Sequence, residues 1–411
     1  MNWIEKMIAE QCPNGVKKVK FHDFATYTRG VTYNKSQESF SEDDSYKILR
    51  ANNITLERNA INFDDIKFVN KSVKIKEQQW LKQNDILICA GSGSKEHVGK
   101  VAFIDQNINY SFGGFMAVIR AFDGVNSRYL FHNLTSISFH DYLTSALNST
   151  TINNLNIQVM SGFEIPLPSL SIQEEIVSVL DKFSELIEKT DEEIALRQKQ
   201  YEYYREKLLT FEKGEVERVK LGEVIKNLRT GLNPRVHFKL NTTDAQFYYI
   251  TVRELKGFDI KVDEKTDRIN ETARIRINER SKLQINDILF SGTGTIGRTA
   301  IVKEAPTNWN IKEGVYAITP DTKLINPYYF IYVLHSSEIE DQISNKAGGS
   351  TVKSIPMAEL KKLEIPLPSL SIQEEIVSVL DKFETLISKL KEERELRQKQ
   401  YEYYREKLLT F

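Results

Sequence analysis

The sequence is short of the residues that most site chemistries need. Only two cysteines occur in 411 residues, Cys12 and Cys89, both in the first half and without metal-ligand spacing. That excludes a disulfide framework and leads to the expectation of a reduced, cytoplasmic setting. The six histidines, His22, His97, His132, His140, His237 and His335, show no zinc spacing. No Ser/His/Asp set and no carboxylate pair recurs in both halves, so an active site is not expected. No apolar run reaches the roughly 18 residues of a membrane span, and Met1-Asn2-Trp3-Ile4-Glu5-Lys6 is not a signal peptide; no membrane partner is expected. Net charge is −1, without the basic excess that nucleic acid favours.

What is present is a duplication. Residues 164–211 and 364–411 are identical at 41 of 48 positions, and the seven differences all lie between 184 and 195. Each copy runs from Ile165-Pro166-Leu167-Pro168 through Gln173-Glu174-Glu175-Ile176 to Phe211. Pro168 disfavours helix before it, and Ser171 with Glu174 has capping-box spacing, so one long helix is expected from Ser171. Its apolar positions step by four and three: Ile176, Leu180, Phe183, Ile187, then Tyr201, Tyr204, Leu208 and Phe211. That is a heptad seam, loosened only around 190 and 194, where the copies differ. At about 1.5 Å per residue such a helix is roughly 58 Å long. Its natural partner is the other copy, running antiparallel; packing of each helix on its own globular half, or dimerisation of whole chains, would use the same seam.

The rest divides accordingly, into globular segments 1–163 and 212–363 and helical segments 164–211 and 364–411. Lys+Arg exceed Asp+Glu by two and by four in the globular segments, while the helices carry net −5 and −2. Acidic helices suit protein partners, so any DNA contact belongs on the globular parts. Val16 to Phe21 matches Val216 to Leu221, which makes the first 20 residues the end of a repeat unit begun at the other end of the chain; the two ends should meet.

The globular segments share a frame with little identity. Thr28-Arg29-Gly30 lies against Arg229-Thr230-Gly231, Tyr46 to Arg50 against Tyr248 to Arg253, and Asn84-Asp85-Ile86-Leu87 against Asn286-Asp287-Ile288-Leu289. The last pair reads as a turn opening a buried strand that runs into a glycine hairpin. Asn126 and Asn326 open short helices, the second with Pro327 just inside. The expected class is therefore α+β: two mixed α/β domains separated by two long antiparallel coiled-coil helices, with a pseudo-two-fold internal repeat. Gly292-Thr293-Gly294-Thr295-Ile296-Gly297 matches a dinucleotide fingerprint, but that motif needs a helix next and Arg298 to Val302 is strand-like. Gly93 to Lys100 fails as a phosphate loop because Val101 stands where magnesium needs Ser or Thr. Asn326-Pro327-Tyr328-Tyr329 lacks the second proline of an amino-methyltransferase motif.

Polar loop residues recur in both halves. The first offers Arg29, Tyr33, Asn34, Arg50, Asn52, Asn53, Ser92, Ser94, Lys95, His97, Lys100, Thr150, Thr151 and Asn153. The second offers Arg229, Asn233, Arg235, Arg253, Lys256, Thr293, Thr295, Arg298, Ser350, Thr351 and Lys353. Arg, Lys and Asn reach base edges, while Ser, Thr and loop amides hold phosphates. Any one of these is more often a solvated loop residue. As a set, repeated on one frame and varied between copies, they are candidates for DNA recognition.

With these residues in view, the chain resembles the specificity subunit of type I restriction-modification enzymes over its whole length. Ile-Pro-Leu-Pro followed by Gln-Glu-Glu-Ile in each repeat, and Asn-Asp-Ile-Leu before a glycine hairpin in each half, carry the resemblance. It implies that each globular segment is a target-recognition domain reading half of a bipartite, asymmetric site in double-stranded DNA. The helices would set the gap, against a groove-to-groove spacing of ~34–36 Å, and dock two modification (methyltransferase) subunits. Restriction/translocase subunits would complete the assembly. The resemblance places S-adenosylmethionine, ATP and Mg in those partners and no cofactor in this chain. The competing reading is a coiled-coil scaffold with protein-binding ends; an adenine methyltransferase lacks its motifs.

Overall fold

The computed structural model describes residues 2–55, 58–148, 154–212, 214–349 and 352–411. They form two packing units: residues 1–191 with 392–411, and residues 192–391. Each unit therefore holds the first half of one long helix and the second half of the other, Leu170–Leu209 and Leu370–Leu409.

In the first unit an antiparallel sheet has the order Ala25–Arg29, Met116–Ala121, Ile86–Cys89, Val101–Phe103. In the second the order is Ile225–Thr230, Val315–Pro320, Ile288–Ser291, Thr299–Ile301. The central strands are apolar on both faces because helices cover one side and a smaller sheet the other. That smaller sheet joins Ser45–Leu49 in parallel to Ser111–Phe112, and Phe247–Ile250 in parallel to Trp309–Ile311. A short antiparallel ladder, Lys18–Lys20 on Glu164–Pro166 and Glu217–Lys220 on Glu364–Leu367, delivers the chain into each long helix.

The Asn-Asp-Ile-Leu turns have a local cause. Asn84 and Asn286 adopt φ of 69° and 68°, left-handed backbone that asparagine tolerates better than most residues. The following aspartate, Asp85 or Asp287, accepts from the amide of Lys82 (2.8 Å) or Gln284 (2.7 Å), closing the turn. Both carboxylates are buried, and each meets an arginine: Arg120 on Asp85 through two bonds of 2.7 and 2.8 Å, Arg229 on Asp287. The arginines come from non-equivalent strands of the two corresponding sheets, Met116–Ala121 and Ile225–Thr230. Burying the carboxylate requires a partner, and the partner's position is free to drift.

The helices are capped two residues earlier than the sequence suggests. Leu170 is already helical, and Ile172 and Gln173 donate to the carbonyl of Ser169, at 3.0 and 3.1 Å; Ser171 lies inside the helix and does not cap it. Ser369 serves likewise in the second copy, where Gln373 donates to its carbonyl at 3.0 Å. Proline at 168 fixes its own φ, so the first residue free to cap is the serine after it.

Within each unit the two helix halves run antiparallel along the expected seam. In the first unit Phe183 stacks on Tyr404 with ring centroids 5.3 Å apart, and in the second Phe383 stacks on Tyr204 at 5.4 Å. The positions that differ between copies are used too: Asp191 meets Arg394 at 3.2 Å, and Arg397 donates to Thr190 at 3.0 Å. The chain ends meet inside the first unit, where Glu5, on a short helix (Asn2–Gln11) that the sequence did not signal, pairs with Lys407 at 2.8 Å.

The identical repeats offer the two globular parts the same set of partners. Gln173 accepts from the amide of Asn126 (2.8 Å), and Gln373 from that of Asn326 (2.7 Å). Tyr129 donates to the carbonyl of Pro166 (2.7 Å), and Tyr329 to that of Pro366 (3.0 Å). Glu406 caps the helix at Ile137 and Glu206 the one at Ser337, each accepting a backbone amide. The aspartates receive different side chains. Asp181 takes Arg128 and the fully buried His132, whereas Asp381 takes Tyr332. Burial holds His132 below its ordinary pKa, so the neutral ring donates from Nε2 to Asp181 and accepts at Nδ1 from Tyr401, 3.1 Å away.

Candidate nucleic-acid interface

Both glycine hairpins lead into strands, so neither aims a helix N-terminus at a phosphate. Among the described residues no His/Cys/Asp/Glu cluster could hold a metal, and no helix is long and apolar enough to cross a membrane. What the hairpins do is wall a cleft.

In the first unit the cleft measures about 1020 Å³. The hairpin forms one wall, the turn after Ser45–Leu49 a second, and the Gly113-Gly114-Phe115 turn a third. It gathers six of the sequence candidates: Tyr33, Arg50, Asn52, Ser92, His97 and Lys100. Arg50 and Asn52 share the carboxylate of Asp65, at 2.8 and 2.7 Å, which fixes both side chains against the turn. Lys100 donates to the carbonyls of Ala51 (3.0 Å) and Ile54 (2.9 Å), and burial lowers its pKa. His97 keeps a buried Nδ1 and Arg50 a buried Nε with no hydrogen-bond partner. Burial raises the Tyr33 phenol, which stays neutral and able to donate.

The other candidates of this half lie elsewhere. Arg29 uses its guanidinium on the carbonyls of Gly114 (2.6 Å) and Leu155 (3.2 Å) and on Asn154. Asn53 is buried and holds the carbonyls of Asn62 and Asp65. Asn34 and Ser94 are exposed outside the cleft. Thr150, Thr151 and Asn153 lie outside the described residues, and of Lys95 only the backbone is described.

The corresponding cleft of the second unit is smaller, about 360 Å³, and brings Arg253 and Thr293 together with Asp267, Lys312 and Gly314. Arg253 pairs with Asp267 at 2.9 Å. A neighbouring hollow of about 440 Å³ collects Arg298 and Lys353 beside His335 and Glu340. Arg298 donates to the carbonyl of Val252 at 3.4 Å, as Lys100 does to Ala51. Arg229 is spent on Asp287 and on Thr319 (2.8 Å). Asn233 caps a short helix by accepting from the amide of Arg235 (3.0 Å), and Arg235, Lys256 and Thr295 are exposed away from both hollows. Ser350 and Thr351 lie outside the described residues.

The ladders correct the match of Arg50 with Arg253 and keep that of Thr28-Arg29-Gly30 with Arg229-Thr230-Gly231. Gly113 donates to Leu49 O and Lys312 to Ile250 O, so Thr251 occupies the place of Arg50, and Arg253 that of Asn52. Arg29 faces Ala117 and Arg229 faces Ala317, while Cys89 faces Met116 and Ser291 faces Val315. Arg29 thus matches Thr230, one residue from Arg229, and one residue in a strand turns a side chain to the opposite face. The sequence also missed Phe115, which is 72% exposed at the cleft wall. An aromatic straight after two glycines was the available signal.

A family model described as the type I restriction modification DNA specificity domain matches residues 13–196 and again 213–398. A putative type I restriction enzyme specificity subunit of Haemophilus influenzae is 32% identical over 338 residues, 76% of this chain and 81% of its own length. The type I restriction enzyme EcoR124I/EcoR124II specificity subunit of Escherichia coli is 35% identical over 267 residues, 60% of this chain and 63% of its own. The fold is that of the solved restriction-modification S subunit of M. genitalium, with a TM-score of 0.57 at 15% identity over 96% of both chains.

Proposed function

Because the chain belongs to the type I restriction modification DNA specificity family, we propose that its two units read the two halves of one bipartite, asymmetric DNA target. It is a non-catalytic specificity subunit, and sequence discrimination is the work left to it. The observation that carries the reading is a shared frame bearing different side chains. Both globular parts seat on identical repeat residues. Yet at matching cleft positions one carries Arg50 and Asn52 and the other Thr251 and Arg253. A frame kept constant while its loops change is what reading two different half-sites requires.

Arginine and asparagine pair bidentately with guanine and adenine edges, and lysine neutralises phosphate. In this reading Arg50, Asn52 and His97 face base edges in one half-site, and Arg253 and Arg298 in the other. The acidic long helices set the interval and receive two modification subunits, with restriction/translocase subunits beyond them. Those partners carry S-adenosylmethionine, ATP and Mg, and the assembly works in the cytoplasm. Replacing His97 or Arg298 with Ala should weaken binding of the assembled complex to its target by ~1–3 kcal/mol if the contact is base-specific. Affinity equal to the parent's, measured by titration at fixed salt, would remove that loop from the interface.

A further inference from the structure

Phe115 is a side chain in the first cleft that neither the frame nor hydrogen bonding explains. An isolated exposed apolar residue means nothing by itself, and Phe40, more exposed still, lies outside the cleft. Phe115 differs in three respects. Its backbone is pinned, because its carbonyl accepts from the amides of Ala90 (2.8 Å) and Gly91 (3.0 Å) and Met116 N closes the turn onto Gly113 O (2.8 Å). Its ring stands in the same cleft as Arg50, Asn52 and His97. And the second unit closes the matching turn, with Gly292 N on Gly314 O (2.8 Å) and Val315 N on Lys312 O (3.1 Å), using a glycine in its place. The turn therefore does not need the ring.

A phenyl ring has no donor for a phosphate or for a base-edge acceptor. In stacked duplex DNA the base faces are covered, so a ring approaching from the major groove meets edges, and the apolar group on those edges is the thymine 5-methyl. We propose that Phe115 is a specificity-determining residue that contacts the methyl of one thymine in the half-site read by the first unit. The proposal rests on that unit reading DNA, and the test below separates the two.

With the methylated motif known, the full chain assembled with its modification subunits is titrated with the target duplex and with duplexes in which each thymine in turn is replaced by deoxyuridine, which removes only the methyl. Burying one methyl is worth roughly fourfold in affinity. The parent should lose about that at one thymine of one half-site. Phe115→Ala should bind the parent duplex about fourfold more weakly and be indifferent to deoxyuridine there, while Phe115→Leu, which keeps an apolar tip, should retain part of the sensitivity. The proposal is overturned if no deoxyuridine matters, or if Phe115→Ala keeps the parent's sensitivity. An Arg50→Ala, His97→Ala double variant in the same titration isolates the underlying reading: if it binds as tightly as the parent, the first cleft does not touch DNA and that reading has failed, whatever Phe115 does.

Discussion

His335 is buried beside Thr299, whose hydroxyl lies 2.7 Å from its Nε2, and burial, aided by the charge of Arg205, brings the imidazole down to about 4. Its folded pKa lies below the ordinary 6.5, so between those values the unfolded chain binds a proton that the folded chain refuses. Stability is present above about 6.5 and is lost as pH falls toward 4. The shift corresponds to about 3 kcal/mol. Denaturant unfolding at pH 7 and pH 4.5 should show that loss in the parent, and His335→Gln, which does not titrate, should lose less by that amount; equal pH dependence would rule the residue out. Arg229 belongs to the same class of buried group. Replacing it with Ala leaves the Asp287 carboxylate, already pushed up by burial, without its counter-charge, and should cost about 3–5 kcal/mol in unfolding measurements. Sequence could find Arg229 and Arg29 but could not see that Arg29 is held by backbone carbonyls and Asn154, and the terminal nitrogens of Arg229 by Asp287 and Thr319, because that depends on a strand register no local pattern prints. The cleft was half legible for the same reason: Arg50, Asn52, His97 and Lys100 lie in loops whose frame recurs in both halves, whereas Phe115 enters from a turn whose counterpart carries Gly314.

At the scale of elements the long helices were the most legible part, since a heptad seam is a local pattern repeated over several turns. Phe183 with Tyr404 and Tyr204 with Phe383 are the seam pairs it implied. The cap was misread because Ser169 and Ser171 are alike in composition and differ only in distance from Pro168. Where the repeats diverge, Asp191 and Arg394 form a partly buried cross-helix pair that also receives Arg58, at 3.2 Å. Asp191→Arg should destabilise the first unit by roughly 1 kcal/mol, and Arg394→Asp added to it should restore most of the loss in a double-mutant cycle. Additive losses would mean that the pair does not couple.

At the scale of the molecule, one pattern was used twice. Identical residues of the repeats hold Asn126 and Asn326, Tyr129 and Tyr329, Ile137 and Ser337, and so two unlike globular parts can sit on one kind of seat. If helix length acts as the ruler between them, four residues inserted near 190 should alter the number of unread base pairs between half-sites, read by sequencing methylated DNA; an unchanged interval would show that the helices do not measure it. The central claim is that each half of the chain specifies its own half of the target. The measurement that reaches it most directly is to assemble the chain with its modification subunits, exchange residues 212–363 for the corresponding segment of another family member, and map methylated positions before and after. The account predicts one split motif in each case, with one half-site replaced and the other retained; a motif that changes in both halves, or in neither, would contradict it.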